Sequence, residues 1–218
     1  MHRPMRTRAV IFDFNGTLSQ DEAILCQIYV ELFAEYGRPV SAHEYFERLA
    51  GKSDEEIVTT WFGSGHPACE QLVGERVRRY RESVADGSTV PESVREAVRF
   101  AAERVPVGIV TGALRSEVDP VVSGAGLGES IRAIVAIDDV ERGKPDPEGY
   151  LRALELLDVS EPAEVVAFED TEAGVASAKA AGLRCLAVRG THDLVRLAAA
   201  DEIVAAVDVA LVRRLLAA

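Results

Sequence analysis

Residues 10–18 read Val-Ile-Phe-Asp-Phe-Asn-Gly-Thr-Leu. An apolar run of strand type ends in a carboxylate, Asp13, and Gly16-Thr17 then turn the chain away. A carboxylate where a buried strand opens into a loop can serve as a nucleophile or a metal ligand. Asp, Asn and Gly are also ordinary turn formers, so this stretch alone fits a plain strand end equally well. Segments further along the chain decide between the two.

Similar short apolar runs recur at 107–111, 134–137, 165–168 and 186–188, with a weaker one at 203–204. Runs this short and continuous suit strands buried on both faces. Helical patterns separate them at roughly 91–104, 115–126, 146–158, 172–181 and 192–199, and the Ala-rich end, 195–218, reads as helical stretches around the weak strand. Repeated βα units predict an α/β fold: a three-layer, open parallel sheet, Rossmann-like in its layering. Residues 19–88 interrupt the rhythm and offer no strand. Ser19/Glu22, Ser41/Glu44 and Ser53/Glu56 have capping-box spacing, and Pro67 suits a further helix start. The expected division is a core of residues 1–18 and 89–218 with an inserted α-helical cap of residues 19–88.

The chain has 218 residues, 48% hydrophobic and 28% charged, with formal net charge −12 and pI near 4.9. Its acidity argues against nucleic acid and anionic membrane partners. No apolar run is long enough to span a bilayer, and the basic start, Met1–Arg8, lacks a signal-peptide pattern. Cys26, Cys69 and Cys185 are too scattered for a disulfide framework, and His2, His43, His66 and His192 lack zinc-ligand spacing. The expectation is a cytoplasmic protein, a monomer or else a dimer.

Polar residues close the later strands too. Thr111-Gly112 follow the second; Thr111 offers a hydroxyl and Gly112 lets backbone N–H groups approach an anion. Gly143-Lys144-Pro145-Asp146-Pro147 follow the third. A cation at a helix start is unfavourable to the helix dipole, so Lys144 calls for a carboxylate or phosphate partner. Glu169-Asp170-Thr171 follow the fourth. In open parallel sheets, residues at these strand ends converge.

Asp-Phe-Asn-Gly-Thr-Leu, Val-Thr-Gly, Gly-Lys-Pro-Asp-Pro and Phe-Glu-Asp-Thr-Glu-Ala-Gly, in this order, resemble the haloacid dehalogenase (HAD) superfamily, in the branch of β-phosphoglucomutase and phosphoglycolate-type phosphatases. The resemblance covers essentially the whole chain. It implies a hydrolase acting on a small phosphorylated metabolite. Asp13 would be the nucleophile, forming an aspartyl-phosphate. Mg²⁺ would be held by Asp13, Asp170 and the backbone carbonyl of Asn15, with Glu169 in support. Thr111, the N–H groups of Gly112 and Ala113, and Lys144 would bind the phosphoryl group.

The departure is Asn15, where the family's phosphatases carry a second Asp as acid/base. An amide cannot move that proton. The resemblance therefore implies a slowed or leaving-group-selective phosphatase, with a non-catalytic Mg²⁺/phosphometabolite-binding protein as the alternative. A phosphomutase needs the missing acid twice, and a phosphonate hydrolase carries a small residue at this position. An Asn introduced in the laboratory would look the same. In the helical insertion, Lys52 either contacts a distal anionic group of the substrate or is a solvated lysine.

Overall fold

The computed structural model describes residues 6–217, so His2 and the first residues of the basic start lie outside it. The opening stretch forms β1 (Ala9–Phe12). The remaining strands are β2 (Val107–Val110), β3 (Ala133–Val135), β4 (Val165–Glu169), β5 (Arg184–Val188) and β6 (Glu202–Val204). They make one six-stranded sheet in the order β3-β2-β1-β4-β5-β6, and every pairing is parallel. β1 lies at the centre, pairing Val10 with Val107 on one side and Val166 on the other. The chain leaves β1 for β2 and later returns to β1's other edge as β4. That reversal is the switch point beside which open α/β sheets place their ligands.

Alternation along the strands divides the core between the two faces of the sheet. Val10, Phe12, Ile109, Phe168 and Leu186 pack on one face, and Ala9, Ile11, Val110, Ala167 and Cys185 on the other. Phe12 and Phe168 sit opposite in register and stack with ring centroids 5.1 Å apart. Helices α5 (Glu92–Ala102), α6 (Arg115–Gly124), α7 (Glu148–Leu156), α8 (Glu172–Ala180) and α9 (Val209–Ala217) complete the α/β body.

Between β1 and α5 run α1 (Glu22–Glu35), α2 (Ala42–Arg48), α3 (Asp54–Phe62) and α4 (Cys69–Val84). The insertion packs around aromatic side chains: Tyr29 stacks on Tyr45, and Phe33 on Trp61. The capping boxes at Ser41/Glu44 and Ser53/Glu56 both form. The one at Ser19/Glu22 does not. Helix α1 starts at Glu22 after Asp21, and the buried Ser19 hydroxyl is spent on Thr89 Oγ1 at 2.7 Å. Gln20 N–H also donates to Thr89 O at 2.8 Å, so the chain entering and leaving the insertion runs side by side.

The helix expected at 192–199 is also corrected. Residues 191–200 form successive turns, with Arg196 N–H on Asp193 O and Ala200 N–H on Leu197 O. Polar contacts to neighbouring loops hold its first residues. His192 Nδ1 lies 3.2 Å from the Glu172 N–H and Nε2 lies 3.4 Å from Ala50 O, in the loop after α2.

Candidate active site

The carboxyl ends of β1, β2 and β4 meet beside the switch point. Asp13 continues the ladder just past β1, its N–H donating to Phe168 O at 2.9 Å. Beyond it Gly16 turns with φ +73°, and a Cβ there would overlap the Asp170 carboxylate. Only glycine lets the loop after β1 lie this close to the end of β4.

Lys144, in the loop before α7, reaches back into this junction. Its ammonium pairs with Asp13 Oδ1, lies 2.6 Å from Glu169 Oε1 and donates to Val110 O at 3.0 Å. The partner expected of this lysine is thus a pair of carboxylates. Burial pulls its pKa down, but the Asp13 and Glu169 charges together hold it above its ordinary value. Glu169 is fully enclosed and also accepts from Tyr150 Oη at 2.6 Å. Asp170, equally enclosed, accepts from Thr17 Oγ1 at 3.3 Å and from the Thr191 hydroxyl.

Asp13, Glu169 and Asp170 each present a ligand atom, all within 4.8 Å of one another. Burial and the neighbouring Asp13 carboxylate raise Asp170 well above the carboxylate range. Glu169 rises to about 7, chiefly through burial, against the opposing pull of Lys144. Glu169 Oε2 is buried with no hydrogen-bond partner. Three buried carboxyls with oxygens this close together suit a hard divalent cation, and this donor set fits Mg²⁺.

Thr111 is buried just past β2, and its Oγ1 accepts from Ala113 N–H at 3.0 Å. The Ala113 N–H expected to face an anion is therefore already engaged within the loop. Gly112 is exposed, and nothing lies within 4 Å of where its Cβ would be. Lys52 is exposed; its backbone N–H donates to Leu49 O at 3.2 Å, and its ammonium joins no hydrogen bond or ion pair among the described residues. Its neighbour Gly51 is closer to the strand ends: a Cβ there would meet His192 and Thr171 at 3.2 Å. The loop after α2 thus rests on the loops beyond β4 and β5.

Asn15 faces the insertion. Its Nδ2 donates to Asp21 Oδ2 and to Tyr80 Oη, each at 3.1 Å, and Tyr80 Oη donates to the same Asp21 oxygen. Asp21 is fully buried. Burial raises it to about 6, against lowering contributions from Ser19, Tyr80 and Asn15. The next residue, Glu22, is raised to about 7 by burial, then by the Asp21 and Asp13 charges. A further bridge spans insertion and core: Arg76 of α4 pairs with Asp54 of α3 and with Glu117 of α6, while Tyr29 Oη donates to Asp54 Oδ1 at 2.6 Å. Sequence reading did not single out Tyr150, Thr191, Tyr80, Asp21 or Arg76 for this site. Only Asp21 carried a local signal, its place beside the α1 start.

The chain belongs to the family of haloacid dehalogenase-like hydrolases, whose profile matches residues 10–188. It is 31% identical over 196 residues to validoxylamine A 7'-phosphate phosphatase of Streptomyces hygroscopicus subsp. limoneus, covering 89% of this chain and 91% of that protein. It is 30% identical to a phosphorylated carbohydrates phosphatase of Thermotoga maritima, covering 80% of this chain and 82% of the relative. The crystal structure of a CbbY mutant from Rhodobacter sphaeroides in complex with xylulose-(1,5)bisphosphate superposes with TM-score 0.81 at 26% identity, covering 92% of this chain and 94% of that one. The protein is accordingly a hydrolase of the phosphatase type. Among the described residues, no helix is long and apolar enough to cross a membrane.

Proposed function

We propose that this protein hydrolyses a small phosphorylated metabolite, of carbohydrate type, through an aspartyl-phosphate on Asp13. The observation that carries the reading is the meeting of Asp13, Lys144, Glu169 and Asp170 in one buried junction at the sheet's switch point. Relatives named for validoxylamine A 7'-phosphate and for phosphorylated carbohydrates support the substrate class.

Asp13 supplies the attacking oxygen. Lys144, paired with it, orients that carboxylate and carries a positive charge for the incoming phosphoryl oxygens. Thr111 and the exposed backbone at Gly112 supply further donors. Asp13, Asp170 and the Asn15 carbonyl would hold Mg²⁺, with Glu169 bracing Lys144. A cation held there would supply positive charge to the transferring phosphoryl group. The helical insertion acts as a cap. Asp13 is only 7% exposed, so substrate enters when the insertion swings about the paired linkers at Leu18–Ser19 and Asp86–Thr89.

Asn15 contributes its amide N–H to Asp21 and Tyr80 and has no proton to give. Unless another group supplies the proton, turnover would be slow and confined to good leaving groups, such as aryl and acyl phosphates. The test is Mg²⁺-dependent release of p-nitrophenol from p-nitrophenyl phosphate, with intact-mass detection of a phosphoryl group on Asp13. Both signals should vanish in Asp13→Ala. Turnover that persists in that variant would refute Asp13 as the nucleophile, and no turnover by the parent chain would favour a binding protein instead.

A further inference from the structure

The proton that Asn15 cannot carry needs another source, and the carboxyls around Asp13 can be taken one at a time. Glu169 is held by Lys144 and Tyr150 on one oxygen and is fully enclosed beneath the junction. Asp170 is tied to Thr17 and Thr191 and belongs to the proposed cation site. Asp21 commits Oδ2 to both Asn15 and Tyr80 and has no exposure; it anchors the amide at position 15. Glu22 differs from all of them. It is the first residue of α1, immediately beyond the linker, and it is only partly enclosed. Its Oε2 is buried with no hydrogen-bond partner among the described residues, as are Asp21 Oδ1 and Glu169 Oε2, but those two side chains are fully enclosed.

The surroundings of Glu22 favour its neutral form. Asp13 and Asp170 act on it from the ends of β1 and β4, Asp21 and Cys26 from its own segment, and Tyr45 from α2. Of these only the Tyr45 hydroxyl favours the Glu22 carboxylate; the negative charges disfavour it. A carboxyl that keeps its proton near neutral pH, with one oxygen free, on the cap side of a nucleophile, has what a general acid needs.

Taking Asp13 as the nucleophile, as above, we propose that Glu22 is the general acid and base of this enzyme, replacing the function absent from Asn15. As Asp13 Oδ bonds to phosphorus and the bond from phosphorus to the leaving oxygen breaks, that oxygen takes the Glu22 proton. Glu22 is then a carboxylate. It accepts a proton from the water whose oxygen attacks the aspartyl-phosphate, the bond from phosphorus to Asp13 breaks, and Glu22 returns to its neutral form.

The experiment compares two probes of similar shape, p-nitrophenyl phosphate and benzyl phosphate, with the full chain and Mg²⁺. Nitrophenolate leaves without a proton, while benzyl alcohol needs one. In Glu22→Gln the single-turnover rate on benzyl phosphate should fall on the order of a hundredfold or more. The p-nitrophenol burst should keep its rate within about threefold, which also shows that the variant folds. Slow hydrolysis of the phosphoenzyme should then follow, and Glu22→Asp should restore part of the benzyl rate. The acid–base limbs of the parent's benzyl pH profile should be lost in Glu22→Gln. Equal losses on both probes, or an unchanged benzyl rate, would overturn the proposal. So would the same leaving-group split in Asp21→Asn with none in Glu22→Gln. A parent chain with no Asp13-dependent burst on either probe would instead overturn the aspartyl-phosphate reading on which this rests.

Discussion

Replacing Asn15 with Asp restores the residue usual at this position in the family's phosphatases, yet the structure predicts a pH-dependent loss of stability. In the parent, Asn15 Nδ2 donates to Asp21 Oδ2 at 3.1 Å. In the variant two carboxylates would face each other at that separation. At an effective dielectric constant of about 20, their repulsion is about 5 kcal/mol. Retaining a proton on Asp21 is the cheaper arrangement. Burial already raises that group to about 6, so holding the proton near pH 8 costs about 3 kcal/mol. Near pH 5 the parent's Asp21 is itself largely protonated, and Asp21 can donate to the new carboxylate without further cost. A raised folded-state pKa means that the folded protein binds the extra proton, so stability is greatest in acid and falls as pH rises. In the parent this decline belongs to the window from about 4 to 6; in Asn15→Asp it extends upward past neutrality. Urea unfolding in EDTA should show the variant within about 1 kcal/mol of the parent at pH 5 and about 2–3 kcal/mol weaker at pH 8. Equal losses at both pH values, or none at pH 8, would refute the idea that the Asn15 amide stabilises the Asp21 carboxylate.

Asp170→Ala should weaken Mg²⁺ binding by at least an order of magnitude, measured by calorimetry, because it removes a carboxylate from a small ligand set. In the parent, Mg²⁺ affinity should rise as pH passes through about 7, where Glu169 gives up its proton, and the raised Asp170 carboxyl acts in the same direction; titrations in buffers of different ionisation enthalpy would count the protons released. Arg76→Met leaves Glu117 buried without its cation, which should cost about 3–5 kcal/mol in urea unfolding. Small-angle scattering should report a more open particle without ligand than with Mg²⁺ and a phosphate analogue, if the insertion swings on its linkers.

Much of the sheet was legible because its strands are short, apolar on both faces and closed by polar residues. Asp13, Lys144 and Asp170 could be brought together from that pattern alone, since a parallel sheet gathers its strand ends. Other parts depended on distant partners. Ser19 has correct capping-box spacing, but Thr89, 70 residues away, takes its hydroxyl. The Asn15 network needs Tyr80, 65 residues on, and no local pattern marks a tyrosine for that purpose. Residues 192–199 have helix-compatible composition, yet contacts to Asp170, Glu172 and Ala50 hold the start of this segment as a loop. Lys52 drew attention through its neighbours Gly51 and Ser53, and it is the backbone at Gly51 that makes the close approach.

The electrostatics of the closed junction give Asn15 a physical reason. Asp13, Glu169, Asp170, Asp21 and Glu22 crowd one enclosure in a chain of net charge −12, and Lys144 is the cation paired with Asp13 and Glu169 there. Arg76 adds no free charge, because Asp54 and Glu117 already pair with it. A further carboxylate at position 15 would increase the repulsion that burial already amplifies. An amide there keeps the hydrogen bonds to Asp21 and Tyr80 and adds no charge. The titratable group can then sit one helix start away, at Glu22, where it has a free oxygen and partial exposure. Because Glu22 belongs to the insertion and Asp13 to the sheet, the proposed acid and nucleophile would face each other only when the insertion is closed. On this arrangement, proton transfer to the leaving group is tied to closure, and water entering the open junction meets a nucleophile without its acid.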